Sequence, residues 1–203
     1  MTGEVPEKHN ANGVIVGRFQ PFHNGHLEFM KLVMARCDSL TVLIGELHLL
    51  GGGIIERGLW TSVRALQHRA DGLEFDSNPF SYKERKSMVE GAFENLGIRR
   101  STFEVHELSL RELLRAEGII YLNNLEETNN ISLTKRAILK LMRRDWETIV
   151  AKRIDTSDSV KVCGQFVRER MRAGASVVEY VPPASQEVIA AHIARSKAQT
   201  RTT

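Results

Sequence analysis

Residues 17–26 read Gly-Arg-Phe-Gln-Pro-Phe-His-Asn-Gly-His. Small, cationic and imidazole groups in this order suit a cradle for the phosphates of a nucleoside triphosphate. His23 and His26 stand three apart, a spacing that on the first turn of a helix aims two ring N–H groups at one phosphate. Arg18 adds a fixed charge, and the backbone N–H of Phe19 is a further donor. Gly17 and Gly25 leave room for backbone to approach phosphate oxygens, and Pro21 stiffens the turn by fixing φ. Neither the Walker pattern nor the Rossmann glycine fingerprint is present. Zinc would need further Cys, His or carboxylate ligands at recognisable spacing near the pair, and none is evident, so no metal-ligating residue is assigned.

These groups need a strand and a helix to hold them. The run Gly13–Val16 is free of charge and rich in β-branched residues, as a buried strand of a parallel sheet should be. Leu27, Met30, Leu32, Val33 and Met34 then fit one apolar helix face, with Asn24 as the expected N-cap. A helix that starts at a strand's end presents free N–H groups and the positive end of its dipole, where polyphosphate binds readily. Leu40–Ile44 reads as a second strand, which completes a right-handed βαβ unit and makes the sheet parallel.

Further along, residues 45–77 form a long connection with three glycines at 51–53. Leu59, Trp60, Val63 and Leu66 on one helical face favour a flap or lid insertion there. Asn78-Pro79 breaks the chain, and Ser81 with Glu84 makes a capping box for a helix closed by Gly97. Strands are expected at 102–106, 119–122 and 147–153, with helices at 110–116 and 132–144. An asparagine-rich loop at 123–131 falls at a strand's carboxyl end, where ligands sit in open α/β sheets. Residues 160–162 and 165–172 read as strand then helix, so Cys163 and Gly164 occupy a second strand-to-helix turn. Arg168 lies one turn into that helix, where a guanidinium can fork onto a phosphate. Cys163 is expected to be a small buried residue.

The 203 residues suffice for one α/β domain with a substantial core. The expected architecture is a Rossmann-like open parallel sheet of about five strands with helices on both faces and a short C-terminal helical extension. Residues 1–12 are read as a flexible N-terminus, 13–181 as the domain, and 182–203 as a closing helix with a frayed tail beyond Lys197. With 28 basic and 25 acidic residues the net charge is only +3, so nucleic-acid binding is not indicated. The basic run Lys135, Arg136, Lys140, Arg143 and Arg144 has helical spacing and reads as a solvated face. Cys37 and Cys163 supply no disulfide framework, and no stretch approaches a membrane span or an export signal. A cytoplasmic protein without membrane partners is expected. An apolar patch could make a homo-oligomer, but nothing in the periodicity demands one.

The strings GRFQPFHNGH at 17–26, NPFSYKER at 78–85 and VCGQFVRERM at 162–171 resemble, in that order, the signature segments of the HxGH nucleotidyltransferases. Within them, the match is to the archaeal-type nicotinamide-nucleotide adenylyltransferases. Cys163 and Gln165 depart from the Ser and Thr usual in that family's third segment, and Arg168 is retained. The resemblance implies transfer of a nucleoside monophosphate from a nucleoside triphosphate to a small phosphorylated acceptor. It implies ATP with nicotinamide mononucleotide first; CTP with a phosphonate or sugar phosphate, or a non-catalytic nucleotide sensor, are the alternatives. It further implies Mg²⁺ on the phosphates and His23, His26 and Arg168 as the catalytic groups. Gly17, Arg18, Phe19, Gly25, Cys163, Gly164 and Gln165 would bind the nucleotide, and Asn78 and Arg85 the acceptor.

Overall fold

The charge-free run after Asn12 becomes the central strand of a parallel sheet, because a strand flanked on both edges and both faces has no place for an ionised side chain. The computed structural model describes residues 10–45, 79–123, 146–149 and 162–200. β1 (Asn10–Gly17) pairs in parallel with β2 (Cys37–Ile44) on one side and with β4 (Ile119–Asn123) on the other. β3 (Phe103–Glu107) lies outside β2 and β5 (Trp146–Ile149) outside β4, so the order is β3-β2-β1-β4-β5. The chain builds outward from β1 in one direction and then returns to build in the other. In an open α/β sheet such a reversal leaves a crevice at the strands' carboxyl ends, and the histidine loop starts there, directly after Gly17.

Successive side chains of a strand point to opposite faces, so the sheet has two cores. On one face Ile15, Leu40, Val42, Ile44, Phe103, Val105 and Tyr121 are buried under the helices α1 (Asn24–Met34), α2 (Tyr82–Asn95), α4 (Gly164–Arg172) and α5 (Pro183–Thr200). On the other, Val14, Val16, Leu43 and Ile120 pack with Leu113 of α3 (Leu110–Arg115) and with Ala116. The expected five-stranded parallel sheet with helices on both faces is what forms.

Several boundaries move. β1 begins at Asn10 rather than Gly13. The Asn12 side chain makes up for its polarity there, donating from Nδ2 to the Glu117 carbonyl at 2.6 Å and accepting from the Ser39 hydroxyl at 3.0 Å. The N-cap of α1 is His23, not Asn24, whose amide instead donates to the Glu179 carbonyl at 2.9 Å. The Ser81–Glu84 capping box at the start of α2 forms as expected, and the chain leaves that helix through Gly97 at φ +69°. β5 starts one residue early, at Trp146. The last helix runs to Thr200. It is held to the start of α2 by Arg195, which donates to Glu84, and by His192, whose Nδ1 lies 3.7 Å from the same carboxylate. Burial alone would raise Glu84, but hydrogen bonds from Ser81 and the charges of Arg195 and His192 hold it below the ordinary carboxylate value. The flap at 46–77, the loop at 124–131, the helix at 132–144 and residues 150–161 lie outside the described residues. Among the described residues no helix is long and apolar enough to cross a membrane.

Gly118 marks the turn into β4 with φ +100°, and a Cβ there would overlap the Asn12 carbonyl. Gly118→Ala should therefore destabilise the fold by about 2 kcal/mol or more in denaturant titration. Native stability in that variant would refute this account of the turn.

Candidate active site

Between β1 and α1 the chain makes a tight corner built on Phe19, a non-glycine residue at φ +50°. Its ring is 3% exposed and folds back over Gly17, where a Cβ would come within 2.5 Å of the ring carbons. Gly17 is thus small because of Phe19, a packing reason the sequence did not disclose. The Phe19 ring meets His26 edge-on at 5.0 Å and Phe22 at 5.7 Å, so the loop is stiffened from within by aromatic contacts.

His23 and His26 stack with ring centroids 3.7 Å apart. They cap the helix reciprocally: Nδ1 of His23 accepts from the Gly25 N–H at 3.1 Å, and Nδ1 of His26 accepts from the His23 N–H at 3.3 Å. An accepting nitrogen carries no proton, so in each neutral ring the proton sits on Nε2, which leaves Nε2–H as its one donor. His23 is 6% exposed, and burial, with the charge of Arg168 second, lowers its pKa to about 4. Near neutral pH His23 is therefore an uncharged hydrogen-bond donor. At Gly25 a Cβ would crowd the His23 ring at 3.1 Å, so a side chain there would push on that ring.

The second turn packs directly on the first. Cys163 is exposed rather than buried, because its sulfur takes the N-cap role of α4 and accepts from the Phe166 N–H at 3.5 Å. A Cβ on Gly164 would stand 2.9 Å from the Gln20 carbonyl and 3.2 Å from Nη1 of Arg168. Arg168, 7% exposed, donates through Nη1 to that same carbonyl. Its described partner is a neutral oxygen. Burial, followed by the nearby charges of Arg18 and Arg172, pulls its pKa down and outweighs the opposing influence of Cys163 and Glu169. A buried cation in cationic company is stabilised by whatever anion enters beside it, which is a physical argument for an anion site. Gln165 faces elsewhere: its amide is 2.9 Å from Glu169 on the exposed side of α4.

Arg85, on the first turn of α2, reaches back to the loop and donates from Nη1 to the Arg18 carbonyl at 2.8 Å. Asn78 lies outside the described residues. His23, His26, Arg18, Arg85, Gly25, Gly164 and Arg168 are thus gathered around one loop. Sequence reasoning missed Gln20, whose burial at 3% is foreign to its residue type. It also missed Arg170, which covers the rings of Phe166 at 5.8 Å and Tyr180 at 5.3 Å. Among the described residues no group of three His, Cys, Asp or Glu side chains is placed to hold a metal ion.

The Cytidylyltransferase-like family model matches residues 14–47, which is β1, the histidine loop, α1 and β2. The nicotinamide-nucleotide adenylyltransferase of Picrophilus torridus is 25% identical over 184 residues, spanning 86% of this chain and 88% of the relative. The chain is thus similar to nucleotidyltransferases over these residues. The phosphonoformate cytidylyltransferase of Streptomyces viridochromogenes is 36% identical over 95 residues, which cover 47% of this chain and 46% of that one. A bifunctional NMN adenylyltransferase/ADP-ribose pyrophosphatase of Francisella tularensis, solved with AMP and manganese, superposes with a TM-score of 0.53 at 15% identity. It matches 95% of this chain and 56% of that one, and at such identity the likeness is one of fold. The match thus spans about half the length of the cytidylyltransferase and of the Francisella structure.

The His23 environment has a consequence for stability. Its folded pKa, about 4, lies below the ordinary 6.5, so between those values the unfolded chain binds the extra proton. Stability then rises with pH through that window and is lost as pH falls. His23→Asn keeps a cap acceptor but takes up no proton. Taken from about pH 7 to about pH 4.5, the native protein should lose about 2–3 kcal/mol more than the variant in urea titrations. Parallel losses would show that His23 is not held neutral.

Proposed function

We propose that the chain transfers a nucleoside monophosphate from a nucleoside triphosphate to a small phosphorylated acceptor and releases pyrophosphate. ATP and nicotinamide mononucleotide are the first reading. The observation that carries it is the meeting of Arg168, His23 and His26 at the switch point, where two helix N-termini and a buried guanidinium resting on a backbone carbonyl face one loop. The nearly full-length likeness to the Picrophilus adenylyltransferase favours ATP and nicotinamide mononucleotide. CTP with a phosphonate is the second reading, favoured by the higher identity to the Streptomyces cytidylyltransferase over about half of each chain.

The chemistry asks little of the protein beyond placement and charge. An acceptor oxygen, already anionic near neutral pH, attacks the α-phosphorus; a new P–O bond forms, the bond to the β-phosphate bridging oxygen breaks, and pyrophosphate leaves. No general base is required. The Nε2–H groups of His23 and His26 would donate to the phosphate oxygens, and Arg18 and Arg168 would offset the charge that moves onto the leaving group. The backbone N–H groups of Phe19, Gly25 and Gly164 would line the same path, with Cys163 as the cap of the second turn. Gln165 would have to exchange its contact with Glu169 to bind the nucleotide. Arg85, with Asn78, would face the acceptor. The donor set at the loop is nitrogen and cationic, a poor match for a hard divalent ion, so Mg²⁺ is read as entering with the triphosphate as part of the substrate. Nucleoside triphosphates are cytoplasmic substrates, and the reading places the protein there.

Pyrophosphate release should be measured with Mg²⁺, each of the four nucleoside triphosphates, and nicotinamide mononucleotide or small phosphonates as acceptors. ATP with nicotinamide mononucleotide should turn over. CTP with a phosphonate turning over in its place would select the second reading. Nucleotide binding without pyrophosphate in every combination would reject transfer. In the productive pair, His26→Ala should lower kcat by about 10²- to 10³-fold with the fold intact. Near-normal turnover would remove His26 from the mechanism.

A further inference from the structure

Gln20 has no role in the reaction as derived, yet it joins the loop after β1 both to the start of α2 and to α4. Its side-chain Nε2 donates to the Phe80 carbonyl at 2.7 Å, and its Oε1 accepts from the Phe80 N–H at 3.0 Å. Its own carbonyl accepts from Arg168 and lies against Gly164. A primary amide presents a donor and an acceptor side by side, so it can pair with the N–H and C=O of a single residue as a neighbouring strand would. Buried donors and acceptors left unpaired are costly, which makes this match hard to replace.

Phe80 leads through Ser81, the N-cap, into α2 and so to Arg85, whose guanidinium returns to the Arg18 carbonyl. The loop after β1 is therefore fastened to the α2 segment at two points, and through the Gln20 carbonyl to Arg168 of α4. The remaining supports of that segment do not involve Gln20. The Phe80 ring is 2% exposed and packs on His192 at 4.8 Å, and Glu84 is held by Ser81 and Arg195. Loss of the Gln20 amide would thus shift the segment rather than unfold it.

We propose that Gln20 is a positioning residue: its amide sets the register between the phosphate loop and the segment that carries Arg85, and so between donor and acceptor. The inference rests on the transferase reading above. Gln20→Met keeps the length and removes the amide. Gln20→Glu restores the donor–acceptor pair only when its carboxyl is protonated.

With the productive substrate pair, kcat/KM for the acceptor should fall about 10- to 100-fold in Gln20→Met, while the dissociation constant of the nucleoside triphosphate changes less than about twofold. In Gln20→Glu the acceptor kcat/KM, relative to the native protein at each pH, should recover as pH is lowered from about 8 to about 5.5, with no such recovery in Gln20→Met. Hydrogen exchange at the Phe80 amide should quicken in Gln20→Met while Met88 and Val89, inside α2, keep their protection. Native acceptor kinetics in both variants, or equal weakening of donor and acceptor, would overturn the proposal. A native protein that transfers nothing would instead sink the transferase reading, an outcome visible before any variant is made.

Discussion

A buried guanidinium resting on a backbone carbonyl is the interaction around which the site is organised. Arg168 comes from α4, close to the end of the described chain, and Gln20 from the loop that follows the first strand; 148 residues separate them. Their contact brings the second strand-to-helix turn onto the first. An arginine held this way keeps its charge against desolvation and against Arg18 and Arg172, an arrangement that favours an incoming anion over an empty pocket. A carboxylate partner would have quenched that preference.

The histidines complement the arginine as hydrogen-bond donors, and His23 does so uncharged. Each spends its Nδ1 lone pair on a backbone N–H of the helix start, which fixes the tautomer, the ring orientation and the location of the remaining proton. The cap that stabilises α1 and the donors that would meet phosphate are the same two side chains. Gly25 follows from this, because a Cβ there would crowd the His23 ring. Division of labour between permanent cations and an uncharged donor also means that the charge at His23 does not change near neutral pH.

Much was legible in the sequence because local chemistry decided it. The charge-free run of β1, the βαβ unit, the Ser81–Glu84 capping box and the left-handed exit at Gly97 each depend on residues within a few positions of one another. The boundaries that moved did so where distant partners intervened. Asn12 enters β1 because its amide N–H donates to the Glu117 carbonyl and its amide oxygen accepts from the Ser39 hydroxyl, and α5 is tied to α2 through Glu84. Cys163 was expected inside and is exposed, because a sulfur at an N-cap must face the helix start rather than the core.

By itself the sequence determined which groups are available: two imidazoles at helical spacing, glycines at the turns, arginines in separate segments and a central strand with no charge to keep it out of a sheet. These are properties of neighbours along the chain, and composition and period report them. Only the tertiary structure decided that Arg168 and Gln20 meet, that Arg85 turns back to Arg18 while Gln165 turns away to Glu169, and that His23 is desolvated enough to stay neutral. Those outcomes depend on burial and on contacts between residues far apart in sequence, and both exist only once the two strand-to-helix turns have packed together.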